Sequence, residues 1–256
     1  MTKRYLGQNF LYDPSILRRI VQVAQLSRED LVVEIGPGPG RLTRMLAERV
    51  KSVIAIELDE NLFEKLKTEL AEYKNVELIH GDALKYSYEN LPEFKVVANI
   101  PYYITTPIIF RLLEAKKNLI SVTLTLQKEV AERIVAAPGG KDYGLLSIMV
   151  QYCTEPRLKF IIPKGAFRPV PRVDSAVVHI KVLERPSALV KDEEFFFRVV
   201  KTAFSQRRKM LSNSLKSLRE DIKERLAEAG IDSNRRPETL NIEEFARLSN
   251  ILLKGY

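Results

Sequence analysis

The chain has 256 residues, 45% of them hydrophobic and 29% charged, which is too apolar for a disordered chain and long enough for one large domain, alone or with a small one. Its 41 basic and 33 acidic residues leave a net charge of +8, which suits a polyanionic partner and equally an ordinary basic surface. One cysteine, Cys153, excludes an internal disulfide framework, and two distant histidines, His80 and His179, offer no zinc cluster, so no metal is expected.

The opening Met1-Thr2-Lys3-Arg4-Tyr5-Leu6-Gly7 lacks the apolar core of a secretory signal. No apolar run approaches the roughly 20 residues that span a bilayer, so a cytoplasmic protein without a membrane partner is expected. Asp13-Pro14 reads as a helix cap followed by proline at the first helical position. Ile16, Leu17, Ile20, Val21 and Ala24 then recur at helical spacing, which predicts a helix over 14–26. Leu31-Val32-Val33-Glu34-Ile35 predicts a buried strand that breaks into the loop Gly36-Pro37-Gly38-Pro39-Gly40. A helix follows over 41–50, a strand over 52–57, a helix over 60–72 and a strand over 76–79 that runs into Gly81-Asp82-Ala83. The fourth strand, 95–99, ends at Asn99-Ile100-Pro101-Tyr102. Beyond it come a helix over 106–116, a strand over 120–126, a helix over 127–136 and a loop at 137–142. Residues 157–162 and 176–182 look like late strands, an antiparallel pair at one sheet edge.

Strands alternating with helices every 20 to 25 residues predict βαβ units, hence an α/β fold with a mostly parallel sheet. Near-continuous apolar strands such as Val53-Ile54-Ala55-Ile56 fit a sheet covered on both faces. Past Glu184-Arg185-Pro186 the pattern is helical, over about 192–204, 208–218, 219–229 and 242–253, with Gly230 closing the third of these. A small helical appendage from about 186 is therefore expected.

Chemistry concentrates at the strand ends. Gly36, Gly38 and Gly40 let the backbone turn tightly and let a ligand come close; an ordinary strand-to-helix turn is the alternative. A dinucleotide loop would place its third glycine one position later, where Arg41 stands. Glu57 ends the second strand, 21 residues after Gly36, where an acid accepts both hydroxyls of a ribose. Asp82, beside Ala83, ends the third, where a carboxylate reaches an adenine amine, unless Gly-Asp is only a turn pair. The three features lie on consecutive strand ends, and no phosphate-gripping lysine loop is present. A nucleoside without phosphates fits that set, and S-adenosyl-L-methionine is the cofactor of that kind.

Asn99-Ile100-Pro101-Tyr102 addresses a different problem. The lone pair of an exocyclic adenine amine is delocalised into the ring, so the amine is a poor nucleophile. Two acceptors on its N–H bonds, the Asn99 side-chain oxygen and the Ile100 or Pro101 carbonyl, favour a pyramidal nitrogen aimed at a methyl donor. Tyr102 stacks on the base and holds it at depth. A plain Asn-Pro-aromatic turn is the alternative.

The ordered set Gly7-Gln8-Asn9-Phe10-Leu11, Glu34-Ile35-Gly36-Pro37-Gly38, Ile56-Glu57-Leu58-Asp59, Gly81-Asp82-Ala83 and Asn99-Ile100-Pro101-Tyr102 continues into two later motifs. These are Phe167-Arg168-Pro169-Val170-Pro171-Arg172-Val173-Asp174-Ser175-Ala176 and Phe204-Ser205-Gln206-Arg207-Arg208-Lys209. Together they resemble, over nearly the whole chain, the small-subunit rRNA adenine N6,N6-dimethyltransferase family (the KsgA type). The resemblance implies a Rossmann-like class I methyltransferase with a mostly parallel seven-stranded sheet over 1–185 and a small all-helical RNA-binding domain over 186–256. It implies dimethylation of two adjacent adenosines in a hairpin loop near the 3′ end of small-subunit rRNA, within the immature small ribosomal subunit. It places Asn9, Leu11, Gly36, Glu57, Asp82 and Asn99 at the cofactor, and sandwiches the target adenine between Tyr102 and Phe167.

Five basic residues between Arg157 and Arg172, Arg168 among them, and six between Lys201 and Arg219, including Arg207, Arg208 and Lys209, occur without an acid. Such runs are often only solvated faces, but here they suit a phosphate-binding rim. The expected molecule is a monomeric rRNA methyltransferase. The alternatives are a large-subunit rRNA adenine methyltransferase of the macrolide-resistance type, a non-catalytic RNA-binding factor and a DNA adenine methyltransferase.

Overall fold

The computed structural model describes residues 9–254. Gly7 and Gln8 of the N-terminal motif lie outside the described residues. In chain order the elements are β1 (Phe10–Leu11), α1 (Pro14–Val23), β2 (Leu31–Ile35), α2 (Arg41–Ala47), β3 (Ser52–Glu57), α3 (Glu60–Glu69), β4 (Val76–His80) and β5 (Phe94–Asn99). Next come α4 (Thr105–Glu114), β6 (Leu119–Gln127), α5 (Lys128–Val135), α6 (Leu145–Gln151), β7 (Thr154–Ile162), β8 (Phe167–Arg168) and β9 (Ser175–Val182). The last are α7 (Glu193–Ser205), α8 (Leu211–Ser214), α9 (Ile222–Glu228) and α10 (Ile242–Leu252).

The main sheet has seven strands in the order β4-β3-β2-β5-β6-β9-β7. β4, β3, β2, β5 and β6 run parallel, and β9 pairs antiparallel with β6, Gln127 opposite Ser175. The chain builds outward from β2 to β4 and then returns to lay β5 against the other side of β2. That reversal opens a crevice at the carboxyl ends of β2 and β5, where open α/β sheets bind ligands. The late strands β9 and β7 are neighbours at the sheet edge, as expected.

Local chemistry explains the elements that flank the crevice. Asp13 caps α1, its side chain accepting the Ser15 N–H at 2.8 Å, and Asp59 caps α3 through the N–H groups of Asn61 and Leu62. Leu17, Ile20 and Val21 of α1 and Leu42 and Leu46 of α2 pack with Val32, Val53 and Val97 of the sheet. Burying each such side chain stabilises the fold by about 1.5–3 kcal/mol. The helices are therefore pinned, and the loops at the strand ends inherit fixed positions.

Two compact units emerge. The first runs to Ala131 and resumes over Pro156–Val182; the second takes Glu132–Glu155 together with the chain from Leu183 onward. The recruitment of Glu132–Glu155 was not expected, nor was α6, whose run Leu145-Leu146-Ser147-Ile148-Met149-Val150 carries a helix behind Gly144. Within the second unit, Tyr152 and Phe196 have ring centroids 4.9 Å apart, and Phe204 and Phe245 lie 6.0 Å apart. Asn241 and Glu244 form a reciprocal capping box at the start of α10. The helices expected over 208–218 and 219–229 shrink to α8 and α9. Ser212, Asn213 and Ser214 are weak helix formers, and Asp221 is held by Arg219 and Arg225 at 2.9 Å each. Gly230 ends α9 at φ +67°, as expected of it.

Candidate active site

The crevice holds a cavity lined by Gly36 and Gly38 after β2, Glu57 at the end of β3, Asp82 and Ala83 beyond β4, and Asn99 at the end of β5. Asn9 and Leu11 line it from the N-terminal side, and Pro101, Tyr102 and Tyr103 from the turn after β5. Every residue expected at the cofactor is therefore gathered into one place. Gly36, Gly38 and Gly40 all take positive φ, at +66°, +55° and +70°. At Gly38 a second constraint applies: a Cβ there would stand 2.7 Å from the Phe10 ring, so only glycine lets the N-terminal strand lie across the loop.

Two carboxyl groups stand side by side at this end of the sheet. Glu57 is 2% exposed, yet its Oε2 accepts the Gly38 N–H at 3.1 Å and its Oε1 the Asp59 N–H at 2.9 Å. Burial raises its pKa, and those two amides work against the rise. Each oxygen keeps a second lone pair for a ligand hydroxyl. Glu34 on β2 is equally buried but poorer in donors, with Oε2 left without a partner. Burial pushes its carboxyl up to about 8; the Thr43 hydroxyl opposes this and the neighbouring Glu57 adds to it. At neutral pH Glu34 therefore keeps its proton. Asp82 uses Oδ1 to accept the Leu84 N–H at 2.9 Å, a turn bond that aims the carboxyl.

On the other side, Asn99 Nδ2 donates to the Asn9 carbonyl at 3.0 Å, which commits the amide nitrogen and leaves Oδ1 to face a ligand. Pro101's carbonyl closes a tight turn over Tyr102–Ile104 by accepting the Ile104 N–H at 3.2 Å. The hydroxyls of Tyr102 and the fully buried Ser175 share a hydrogen bond of 2.7 Å. Ser175 opens β9 and pairs with Gln127, so rigid sheet fixes the tyrosine from outside its own turn.

Phe167 departs from expectation. Its backbone pairs with Leu11 across the short β1–β8 ladder, and its side chain is 0% exposed in the core with Leu11, Leu17, Ile20 and Ile162. Alternation along a strand sends Phe167 inward and Arg168 outward. The ring has no face free for a stacking base in this structure, whereas Tyr102 lines the cavity.

The expected RNA-contacting cations divide by what they already hold. Arg172, Lys201, Arg208 and Lys209 are exposed. Arg168 is exposed too, but its Nη1 donates to the carbonyls of Gly165 and Phe167 at 2.8 Å each. Arg207 is half-buried and donates to the carbonyls of Lys141 and Gly140, so it clasps the 139–142 loop. Sequence reasoning missed roles for Glu34, Tyr103 and Ser175. Glu34 carried a signal, a lone acid inside an apolar strand; Ser175 carried none, because its partner is 73 residues away.

Among the described residues no cluster of three or more metal-ligating side chains exists, and no helix is long and apolar enough to cross a membrane. The family model described as ribosomal RNA adenine dimethylase matches residues 1–254. A ribosomal RNA small subunit methyltransferase A of Clostridium botulinum is 50% identical over 254 residues, covering 96% of this chain and 92% of that protein. The crystal structure of a dimethyladenosine transferase from Plasmodium falciparum superposes with a TM-score of 0.80 at 28% identity, over 93% of this chain and 95% of that one. The 23S rRNA methyltransferase ErmE superposes with a TM-score of 0.74 at 30% identity, over 95% of this chain and 99% of that one. The chain belongs to the ribosomal RNA adenine dimethylase family.

Proposed function

We propose that this chain methylates the N6 amine of two adjacent adenosines of small-subunit rRNA, twice each, with S-adenosylmethionine as donor. Glu57, Asp82 and the Asn99–Tyr102 turn open into one cavity at adjacent strand ends, and that observation carries the reading. Glu57 would take the ribose hydroxyls on its remaining lone pairs, and Asp82 the adenine amine of the cofactor. Of the described lining residues only Arg41 is a cation, and its guanidinium lies 4.6 Å above the Tyr12 ring. A ligand without phosphates fits that lining. When bound, the cofactor supplies an electrophilic methyl group on a positively charged sulfur.

The chain's own residues act on the acceptor. Asn99 Oδ1 accepts one N–H of the target amine, held on course by the Asn9 carbonyl behind it. The Ile100 or Pro101 carbonyl accepts the second N–H; the turn bond from Ile104 leaves the Pro101 oxygen a second lone pair. Both bonds draw the nitrogen lone pair out of conjugation with the ring. Tyr102, locked to Ser175, covers the base and excludes water from the amine. No strong base is required, because the alkylated amine is acidic enough to release its proton to water. The base must leave its stack to reach this depth, which favours a hairpin loop over a duplex.

Exposed Arg172, Lys201, Arg208 and Lys209 would contact phosphates, those from Lys201 onward in the helical region read as RNA-binding over 186–256. The natural substrate would be the immature small subunit, bound by a monomer in the cytoplasm. A large-subunit adenine is the second reading, favoured by the likeness to ErmE. Incubating the protein and donor separately with immature small subunits, large-subunit rRNA and DNA, followed by mass spectrometry of the nucleosides, tests this. Two dimethylated adenosines confined to the small-subunit RNA are expected. Modification of large-subunit RNA or DNA alone, or no transfer at all, overturns the reading.

A further inference from the structure

Tyr102 and Tyr103 are consecutive on one tight turn, and they meet different surroundings. A 3-10 turn has three residues per turn, so neighbouring side chains point about 120° apart and cannot serve one face. Tyr102 turns toward β9, where its hydroxyl meets Ser175. Tyr103 lines the cavity with 56% of its surface exposed. Partial burial and the nearby carboxylates of Asp82 and Glu57 hold the Tyr103 phenol proton more tightly than usual, whereas Tyr102 senses Asp174 instead. Tyr103 shares the cavity lining with Glu57 and Asp82, the acids that end β3 and follow β4.

An aromatic ring more than half exposed at the mouth of a cavity is apolar surface that a bound ring system would cover. We propose that Tyr103 is a further binding residue, its ring closing over the nucleoside part of the cofactor between Glu57 and Asp82, while Tyr102 serves the acceptor base. The proposal rests on the function stated above and adds to it a division of labour between adjacent tyrosines. The ring does the work here and the hydroxyl little, because Glu57 and Asp82 already provide the polar contacts.

Calorimetry on the full chain without RNA tests it. The probes are S-adenosylhomocysteine and 5′-methylthioadenosine, which keeps the nucleoside and lacks the amino-acid end. Tyr103→Ala is expected to weaken both by about tenfold and by the same factor. Tyr103→Phe is expected to bind both within about twofold of the wild type. Tyr103→Leu, which keeps apolar bulk without an aromatic face, is expected to fall between. Unliganded melting temperatures equal to the wild type confirm that each variant folds. Affinities of the alanine variant within about twofold of the wild type, or a loss confined to S-adenosylhomocysteine, overturn the assignment of Tyr103 alone. A wild type that binds neither probe overturns the function itself.

Discussion

Glu34→Gln offers the sharpest test of the site's electrostatics. The substitution keeps the shape of the side chain and removes its titration. In the folded chain burial lifts the Glu34 carboxyl from 4.5 to about 8. An acid whose folded pKa is raised holds its proton in the native state after the unfolded chain has lost it. Stability is therefore undiminished below pH 4.5 and falls as pH rises toward about 8, after which the loss is complete. The slope is about 1.4 kcal/mol per pH unit. Between pH 5.5 and 8.0 the wild type should lose about 3 kcal/mol that Glu34→Gln retains. Expressed as melting temperature, the gap between the two proteins should widen by about 10 °C over that range. Glu57 titrates in both proteins, so most of its contribution cancels in the difference. Urea unfolding at a series of pH values, without nucleoside, is the assay; with ten tyrosines and no tryptophan, far-UV circular dichroism is the natural signal. A wild-type-minus-variant difference that stays constant between pH 5.5 and 8.0 would show that Glu34 is ionised in the fold and refute the reasoning.

Three further outcomes follow from the geometry. Asn99→Ala removes the acceptor that Asn9 holds in place, and methyl transfer to RNA should fall by at least about 100-fold while calorimetric binding of S-adenosylhomocysteine persists; near-normal turnover contradicts the polarised amine. Ser175→Ala frees the Tyr102 hydroxyl, and turnover should drop about tenfold with Tyr102→Phe costing as much and the double variant little more; simple additivity in the double-mutant cycle would show that the two hydroxyls act apart. Arg208→Glu with Lys209→Glu should flatten the salt dependence of RNA binding by about two charges, whereas Arg207→Ala should chiefly lower the melting temperature because Arg207 clasps the 139–142 loop; an unchanged slope in the double variant removes the pair from the interface.

Much of the site was legible because its signals are local. Glycines that must take positive φ, acids that terminate strands and the tetrad after β5 each express a constraint within a few residues. Their convergence follows from topology, since consecutive parallel strands bring their carboxyl ends to one edge. The alternation of apolar strands and amphipathic helices likewise revealed the α/β class, and Asp13 and Asp59 marked helix starts through bonds two and three residues long in sequence.

Tertiary structure alone decided the rest. The family resemblance sets Phe167 against the target adenine, and only its pairing with β1, more than a hundred residues earlier, turns the ring into the core. The same is true of the Asn9 carbonyl that orients Asn99, the Ser175 hydroxyl that holds Tyr102, and the membership of Glu132–Glu155 in the second unit. Sequence by itself determined which residue types the chemistry needs and which strand ends present them. Burial, the protonation of Glu34 and the partners of Asn99 and Tyr102 depend on atoms distant in the chain, and no local pattern encodes those.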